Sequence, residues 1–401
     1  MSNNIDPYNP IFYAQEGLMV LEQALGMASR VYMGYDAERK SANRGDTIQI
    51  PKPGTFSTSA GGSATTADLT PSSIDLVVDT WRQVKFGLTD KELAFTSEKI
   101  IRDHISPAVY ALALYIETTL TELYKDIPWS YNASSTPAAA DIINTRKILR
   151  DNAGNLVDTD MVHFGIDSTM EAAFLAQEIF HAARITGEGM NEQALMNGSL
   201  GTRFGAEHFV QQTLASHTSG TAISNKADVA GTLNGGHSKG ATTLTVQAFF
   251  VDSSSGKVDE TLVAGDSLVI AGNTQRYAVT ANATLAGGAA SLTITPPLVQ
   301  DYTTGSVVTL ESVDSTNFAD AYYVNMMFHR NAFAMAMAPL PDLGNNAGAK
   351  MAVVTDPRTG LSMRSRLGYD DDLATVKVTL DILYGVKTLD PNLAVICRRN
   401  Y

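Results

Sequence analysis

Ser106-Pro107-Ala108-Val109-Tyr110-Ala111-Leu112-Ala113-Leu114-Tyr115-Ile116-Glu117-Thr118-Thr119-Leu120-Thr121-Glu122-Leu123-Tyr124-Lys125-Asp126-Ile127 repeats its apolar residues every three or four positions. Val109, Leu112, Ile116, Leu120, Leu123 and Ile127 share one side; Glu117, Thr118, Thr121, Glu122 and Lys125 occupy much of the rest. That is the period of an amphipathic helix. Ser106 offers a capping hydroxyl, and Pro107 suits the first helical position, where no amide hydrogen is needed. The spacing predicts a helix over 107–126, about 30 Å long. Globular helices average only about 11–12 residues. Within the larger stretch 90–127, residues 92–105 are expected to form a separate segment that meets the helix at Pro107, a hinge candidate. A spine of this length beside sheet-like segments suits an extended subunit better than a compact enzyme.

The preceding segments offer little to bury on their own. Residues 1–42 contain Pro7 and Pro10, then a thin amphipathic helix with Leu18, Leu21, Leu25 and Ala28 on one face and Glu16, Glu22 and Arg30 off it. Docking on a neighbouring copy is the favoured expectation for this arm, and docking on its own domain is the alternative. Residues 43–88 alternate polar and apolar at Thr47-Ile48-Gln49-Ile50, Ile74-Asp75-Leu76 and Val84-Lys85-Phe86-Gly87-Leu88, as strands do. Between the first two runs lies a tip of Gly, Ser, Thr and Ala with almost no core-forming residues. Loops of this length are functional or disordered. The tip is either a mobile surface loop or an arm ordered by a neighbouring subunit.

Past the spine, 134–140 is a small-residue linker, 141–150 is helical in pattern and 163–167 strand-like. Ser168-Thr169-Met170-Glu171 matches a capping box. From Lys226 to about Asn317 the chain turns rich in Gly, Thr, Val and Ala. Its short alternating runs (242–248, 267–271, 277–280, 291–295, 306–310) are separated by turn signals such as Ala271-Gly272-Asn273 and Gly287-Gly288. The pattern predicts a small all-β barrel or sandwich interrupting an α/β region. Beyond it, a strand pair is expected over 351–355 and 361–369. A long strand should then carry Val376, Val378, Leu380 and Ile382 on a buried face and Lys377, Thr379 and Asp381 on a solvated one.

The totals narrow the class. The chain has 401 residues, 44% of them hydrophobic, and a formal net charge of -13. A core is available, and global disorder is not expected. The acidic balance argues against a sequence-independent nucleic-acid binder, which needs a basic surface, although an acidic wall can still enclose DNA. Cys397 is the single cysteine, so the fold must hold without intrachain disulfides. No signal-like start and no membrane-length apolar run is evident, and a cytoplasmic protein is expected.

Enzymatic signals are weak. Gly236-His237-Ser238-Lys239-Gly240 matches the nucleophile-elbow pattern, but that mechanism needs strand, turn and helix, and the residues that follow are strand-like. His163, Asp167 and Ser168 are close only in sequence, and Ser168 is read as a helix cap. The histidines form no metal-ligand pairs, and no phosphate-loop pattern occurs. Asp370-Asp371-Asp372 is a solvated turn or a cation holder, Arg44-Gly45-Asp46 a turn, and Met335 with Met337 core filling. No catalytic residue, cofactor or metal ligand is expected, and the chain is not expected to be an enzyme.

Several segments, in order, carry a resemblance. They are Gly45-Asp46-Thr47-Ile48-Gln49-Ile50-Pro51, Val78-Asp79-Thr80-Trp81-Arg82-Gln83-Val84-Lys85-Phe86, Phe95-Thr96-Ser97-Glu98 and the spine. At the far end come His329-Arg330-Asn331-Ala332-Phe333, Pro339-Leu340-Pro341 and Asp381-Ile382-Leu383-Tyr384-Gly385. Together they resemble the major capsid (coat) proteins of tailed bacteriophages with the Hong Kong 97 fold, most closely the short-tailed Salmonella phage type with an inserted β domain. The resemblance implies an α+β fold. Its parts would be an N-terminal arm (1–42), an extended loop hairpin (43–80), a peripheral domain with the spine helix (81–134 and 349–401), an axial domain (135–225 and 318–348) and an inserted β-barrel-like domain (226–317).

It further implies pentamers and hexamers of this chain, a scaffolding protein during assembly, a portal protein, and double-stranded DNA packaged without sequence-specific binding. The shell would be built in the host bacterial cytoplasm, expand on maturation and be found in the virion, with no membrane partner. Relatives that cross-link covalently use a lysine on the extended loop. Residues 53–73 contain none, and Lys52 sits at the base, so a non-covalent shell is expected. Glu16 and Glu22 are scaffold-contact candidates, or else the solvated face of the arm. Asp252, Lys257, Asp259 and Glu260 are inter-subunit contact candidates, or else an ordinary solvated loop. The other readings are a virion decoration or surface-array protein, and a hydrolase using Ser238.

Overall fold

The computed structural model describes residues 10–34, 47–52, 72–134, 136–152, 161–181, 197–224, 230–249, 260–311, 321–342, 349–372 and 374–400. The hairpin tip, the Arg44-Gly45-Asp46 turn, Asp252, Lys257 and Asp259 lie outside them. The chain divides into two compact units: residues 1–116 with 333–389, and residues 117–332 with 390–401.

In the first unit, Thr47–Lys52 and Ser72–Val77 pair antiparallel, Thr47 opposite Val77 and Lys52 opposite Ser72. Ile48, Ile50 and Leu76 turn inward and pack with Val78, Ala334, Ala336 and Ala338. Gly385 is needed here, because a Cβ on it would drive into the carbonyl of Val77. The main sheet is built on Thr375–Thr388, a 14-residue strand. It pairs with Thr80–Thr89, Phe333–Met337 and Ser362–Asp370, the last of which pairs with Ala349–Thr355. Val378, Leu380 and Ile382 are buried as the alternation predicts, but so are Thr379 and Asp381. The predicted solvated face is therefore wrong at Asp381. Its carboxylate accepts from Arg364 Nε (3.0 Å) and Nη2 (2.8 Å) and from Arg366 Nη2 (3.0 Å), which makes burial of the charge tolerable.

The arm helix Pro10–Ala24 lies on this unit itself, against Ala349–Thr355 and Ser362–Asp370. Tyr13, Ala14, Leu18 and Leu21 are buried. The space at Gly17 is filled by Met363 and Val109. The favoured expectation of docking on a neighbour is corrected: the apolar stripe finds its partner in the same chain.

The spine is one helix, Asp90–Thr121, with Pro107 in its interior; it then tightens into a 3-10 turn, Glu122–Asp126. The predicted start at Ser106 is corrected. Proline removes one intrahelical hydrogen bond and crowds the preceding turn, which usually ends or kinks a helix. Here Ser106 and Pro107 lie on the exposed side, where water can satisfy the carbonyl left without a donor.

The second unit contains a sheet in the order Ser130–Asn132, Ala394–Asn400, Ala321–His329, Val162–Ile166, Ala206–Val210 and Thr202–Arg203, with Ser216–Thr218 also on Ala321–His329. The helix Ala139–Asn152 packs on it. Phe164, Ile166, Met170, Phe174, Phe180, Met327, Val395 and Cys397 form the core. Two segments fall on other sides than the sequence division drew: Phe333–Met337 pairs within the first unit, and Ala394–Asn400 within the second. Strand pairing is set by partners far along the chain, which local pattern does not contain. The helix Ser168–Leu175 is capped by Asp167, whose carboxylate accepts from Thr169 N at 3.1 Å, rather than by Ser168.

Residues 230–310 hold a closed six-stranded barrel, ordered Thr243–Gln247, Ala290–Thr295, Arg276–Val279, Ser267–Ile270, Val307–Leu310 and Ala230–Leu233. Alternation closes it: Leu233, Leu244, Val246, Leu268, Ile270, Tyr277, Val279, Leu292, Ile294, Val308 and Leu310 fill the interior. The intervening Thr and Ser residues largely face out. Closure leaves no barrel edge to pair with another chain.

Candidate functional site

The residues singled out from sequence are dispersed. Glu22 is paired with Arg358 across the exposed side of the arm, and Glu16 is half-buried on the same helix. Of the four loop candidates only Glu260 is described. It is 3% exposed and opens the strand Glu260–Leu262, opposite Leu285. An exposed ion-pair role for Glu260 is corrected, because its side chain is enclosed by its own chain. Ser238 is exposed in a turn followed by the strand Thr243–Gln247, so the strand–turn–helix frame of a nucleophile elbow is not what surrounds it. His163 pairs with Glu207 at 2.8 Å, whereas Asp167 is engaged by Arg399 at 2.9 Å. His163 and Asp167 of that sequence cluster thus have separate partners. Asp370 is paired with Lys377. Among the described residues no group of three His, Cys, Asp or Glu side chains is placed to hold a metal ion, and no helix is long and apolar enough to cross a membrane.

What the sequence reading missed is a buried polar seam where the barrel joins the rest of the second unit. Tyr124, in the turn that ends the spine, lies 2.9 Å from Nδ1 of His217; Nε2 of His217 lies 3.0 Å from Asp266 Oδ1. Asp266 Oδ2 also accepts from Val263 N (2.7 Å) and Gly220 N (3.2 Å). A carboxylate oxygen accepts, so His217 donates its Nε2–H to Asp266, and its Nδ1 shares a hydrogen bond with the Tyr124 hydroxyl. Gly265 turns with φ +108, and a Cβ there would stand 2.8 Å from the Tyr124 ring. Burial holds the Tyr124 hydroxyl well above the usual phenol range, with Tyr322 and nearby carboxylates adding to it. Burial likewise pushes Tyr322 up to about 12, against the opposing pull of Arg398.

Alongside, Arg398 Nη2 donates to Ser267 Oγ (2.8 Å), and Arg276 bridges Glu311 (2.9 Å) and the Ser130 carbonyl (2.7 Å). The Tyr–His–Asp order resembles a proton relay, but His217 and Asp266 are 1% exposed and Tyr124 3%. No substrate reaches them, so what the arrangement does is fix the barrel on the end of the spine. Glu117, assigned by spacing to the polar face, is buried too and accepts from Gln211 Nε2 at 2.7 Å. A carboxylate recurring among apolar positions was the only sequence signal for it.

The first unit also leaves apolar area outside. Tyr110 is 54% and Leu114 47% exposed on one face of the spine, and Phe12 45% and Met19 64% on the arm helix. Trp81 is 53% exposed, and Arg82 lies over the Tyr115 ring, 3.9 Å from its centroid.

No protein-family model matches the sequence, and no curated protein matches it. Solved structures do resemble the fold. A structure from Mycobacterium phage Che8 aligns over 93% of this chain and 90% of its own, with TM-score 0.48 and 13% identity. The capsid structure of cyanophage P-SCSP1u aligns over 89% and 84%, with TM-score 0.45 and 12% identity. The mature capsid of bacteriophage PhiM1 aligns over 89% and 83%, with TM-score 0.42 and 10% identity.

Proposed function

We propose that this chain is a tailed-phage major capsid subunit of the Hong Kong 97 type, assembling as pentamers and hexamers into an icosahedral shell around double-stranded DNA. The observation that carries the reading is the apolar area left outside a well-packed first unit. Exposed Phe12, Met19, Trp81 and Tyr110 accompany a hairpin base that packs inward through Ile48, Ile50 and Leu76. Bulky apolar side chains this exposed offer area that another molecule can cover. The ordered segments that resemble coat proteins identify that molecule as further copies of this chain.

The finer parts of the proposal follow the same resemblance. The barrel is an inserted domain of the short-tailed Salmonella phage type. Assembly takes place in the host cytoplasm on a scaffolding protein that reaches Glu16 and Glu22. A portal protein joins the shell, which expands when DNA enters. Pro107 is the bending point of the spine during that expansion. The shell is non-covalent, because the loop tip has no lysine. Co-expression with the candidate scaffold, followed by sedimentation and electron microscopy, is expected to give closed shells. Open sheets or trimers would point instead to an array or decoration protein, and a monomer with hydrolytic turnover would overturn the reading altogether.

A further inference from the structure

The helix Ala139–Asn152 has two differently charged ends. Its start is stabilised by Asp141, whose buried carboxylate accepts from Ala138 N (2.8 Å), Ser134 Oγ (3.1 Å) and Tyr131 Oη (3.0 Å). Its second half carries Arg146, Lys147 and Arg150, the two arginines one turn apart. A cavity of about 270 Å³ lies among these three, Ile143, Asp151 and Phe204. Among the described residues no carboxylate, Asp151 included, lies within ion-pair distance of any of the three cations.

The opposite wall is firmly built. Phe204 and Gly205 form the two-residue turn between Thr202–Arg203 and Ala206–Val210, with φ +51 and +73. Both positive angles are what such a hairpin turn requires. The Phe204 ring is seated edge-on against Phe180 (centroids 5.9 Å apart), and a Cβ at Gly205 would collide with the Arg146 guanidinium. Burial, and next the charge of Arg150, disfavour the ionised form of Arg146. Among the described residues the pocket thus gathers three cations around one lining carboxylate, Asp151, which is outside ion-pair distance of them, on a chain whose net charge is -13.

We infer that this cluster is an anion site for the phosphodiester backbone of nucleic acid, a reading that rests on the proposed role of the chain in enclosing DNA. Arginine forks match phosphate oxygens bidentately, whereas lysine adds a point charge. Residues four apart on a helix are separated by about 6 Å along its axis. One DNA strand presents a phosphate about every 3.4 Å of helix axis, so the two arginines span about two phosphate steps and can engage one strand together with Lys147. Ile143, 50% exposed, and Phe204 provide apolar walls suited to the sugar edges. A single carboxylate from another copy would neutralise only one of the three charges.

The test measures anisotropy of a labelled DNA duplex with full-length subunits between about 50 and 200 mM salt. The wild type is compared with the triple variant Arg146→Gln/Lys147→Gln/Arg150→Gln, with Arg150→Gln alone, and with Lys239→Gln as a control on the barrel. Three phosphate contacts give a log–log salt slope of about −2.7, hence an affinity loss of about 40-fold over that range. The triple variant is expected to lose this dependence, Arg150→Gln to reduce the slope by about 0.9, and Lys239→Gln to leave it unchanged. Melting curves confirm that each variant folds. Equal slopes for wild type and triple variant, or no duplex binding by wild type, overturn the inference. Protection against melting by inorganic phosphate without duplex binding makes this a free-anion site and also overturns it. Loss of closed shells in the triple variant at unchanged DNA affinity reassigns the cluster to a subunit contact. Wild-type shells that form normally while subunits ignore DNA reject this inference alone; failure to form shells rejects the functional reading.

Discussion

Replacing Asp266 tests whether the buried seam holds the barrel in place. Its carboxylate accepts from His217 Nε2, Val263 N and Gly220 N, at 3.0, 2.7 and 3.2 Å, and is 1% exposed. Asp266→Ala leaves three buried donors without an acceptor. Each such group costs about 1–3 kcal/mol, and breaking a buried pair as a unit typically costs about 3–5 kcal/mol. The upper part of the additive range is unreachable, because the three donors can relax together. Asp266→Asn keeps the volume and one acceptor, but its amide NH₂ must face either a backbone N–H or His217 Nε2, the latter forcing the ring into its other tautomer, so about 2–3 kcal/mol is expected. For a unit of this size that lowers Tm by about 4–12 °C. Trp129 is a built-in reporter, since Arg276 of the barrel lies 5.9 Å from its ring centroid and donates to the carbonyl of the next residue, Ser130. Urea unfolding followed by tryptophan fluorescence gives the free energies. A double-mutant cycle with Tyr124→Phe should show coupling above about 0.5 kcal/mol, because both residues bond the same imidazole. An Asp266→Asn protein within about 0.5 kcal/mol of wild type, or an additive cycle, would refute the seam.

Other measurements probe single groups. Burial lowers His208 from 6.5 to about 4, so the unfolded chain binds the extra proton first. The stabilisation is full above the unfolded value and is lost as pH falls through the window from 6.5 to about 4. It amounts to at most about 3.5 kcal/mol, at about 1.4 kcal/mol per unit. Urea midpoints across that window should slope less in His208→Gln, and an unchanged slope would count against the assignment. Cys397 is fully buried, and burial pushes its thiol up to about 12; it should resist a maleimide in the native protein and react once unfolded, so rapid native labelling would contradict the packing. Pro107→Ala should stabilise the spine by up to about 3 kcal/mol and slow shell expansion. Expansion at the wild-type rate, followed by electron microscopy, would remove the hinge.

The amino-acid order by itself determined the elements whose signal is local. Strand alternation placed five of the barrel's six strands within a residue or two of where they lie, because each inward Leu, Ile, Val or Tyr is dictated by a period of two; Ala230–Leu233, with its small residues, was not read as a strand. The strand pair around Asp356–Gly360 and the base of the hairpin were legible for the same reason. Tertiary structure alone decided which polar residues go inside. Asp381, Glu117 and Asp266 sit at positions where spacing or charge suggests solvent, and each is buried because a partner distant in sequence (Arg364, Gln211, His217) supplies the hydrogen bonds its charge requires. Pro107 shows the same limit. Proline's local preference marks a helix start, yet the helix runs from Asp90 through it to Thr121. Burial of Ile105, Ala108, Val109 and Leu112 on its inner face outweighs one missing hydrogen bond on the solvent side. The spine that spacing placed at 107–126 is therefore longer toward its N-terminus, and its far end is a tight turn whose tyrosine anchors the barrel.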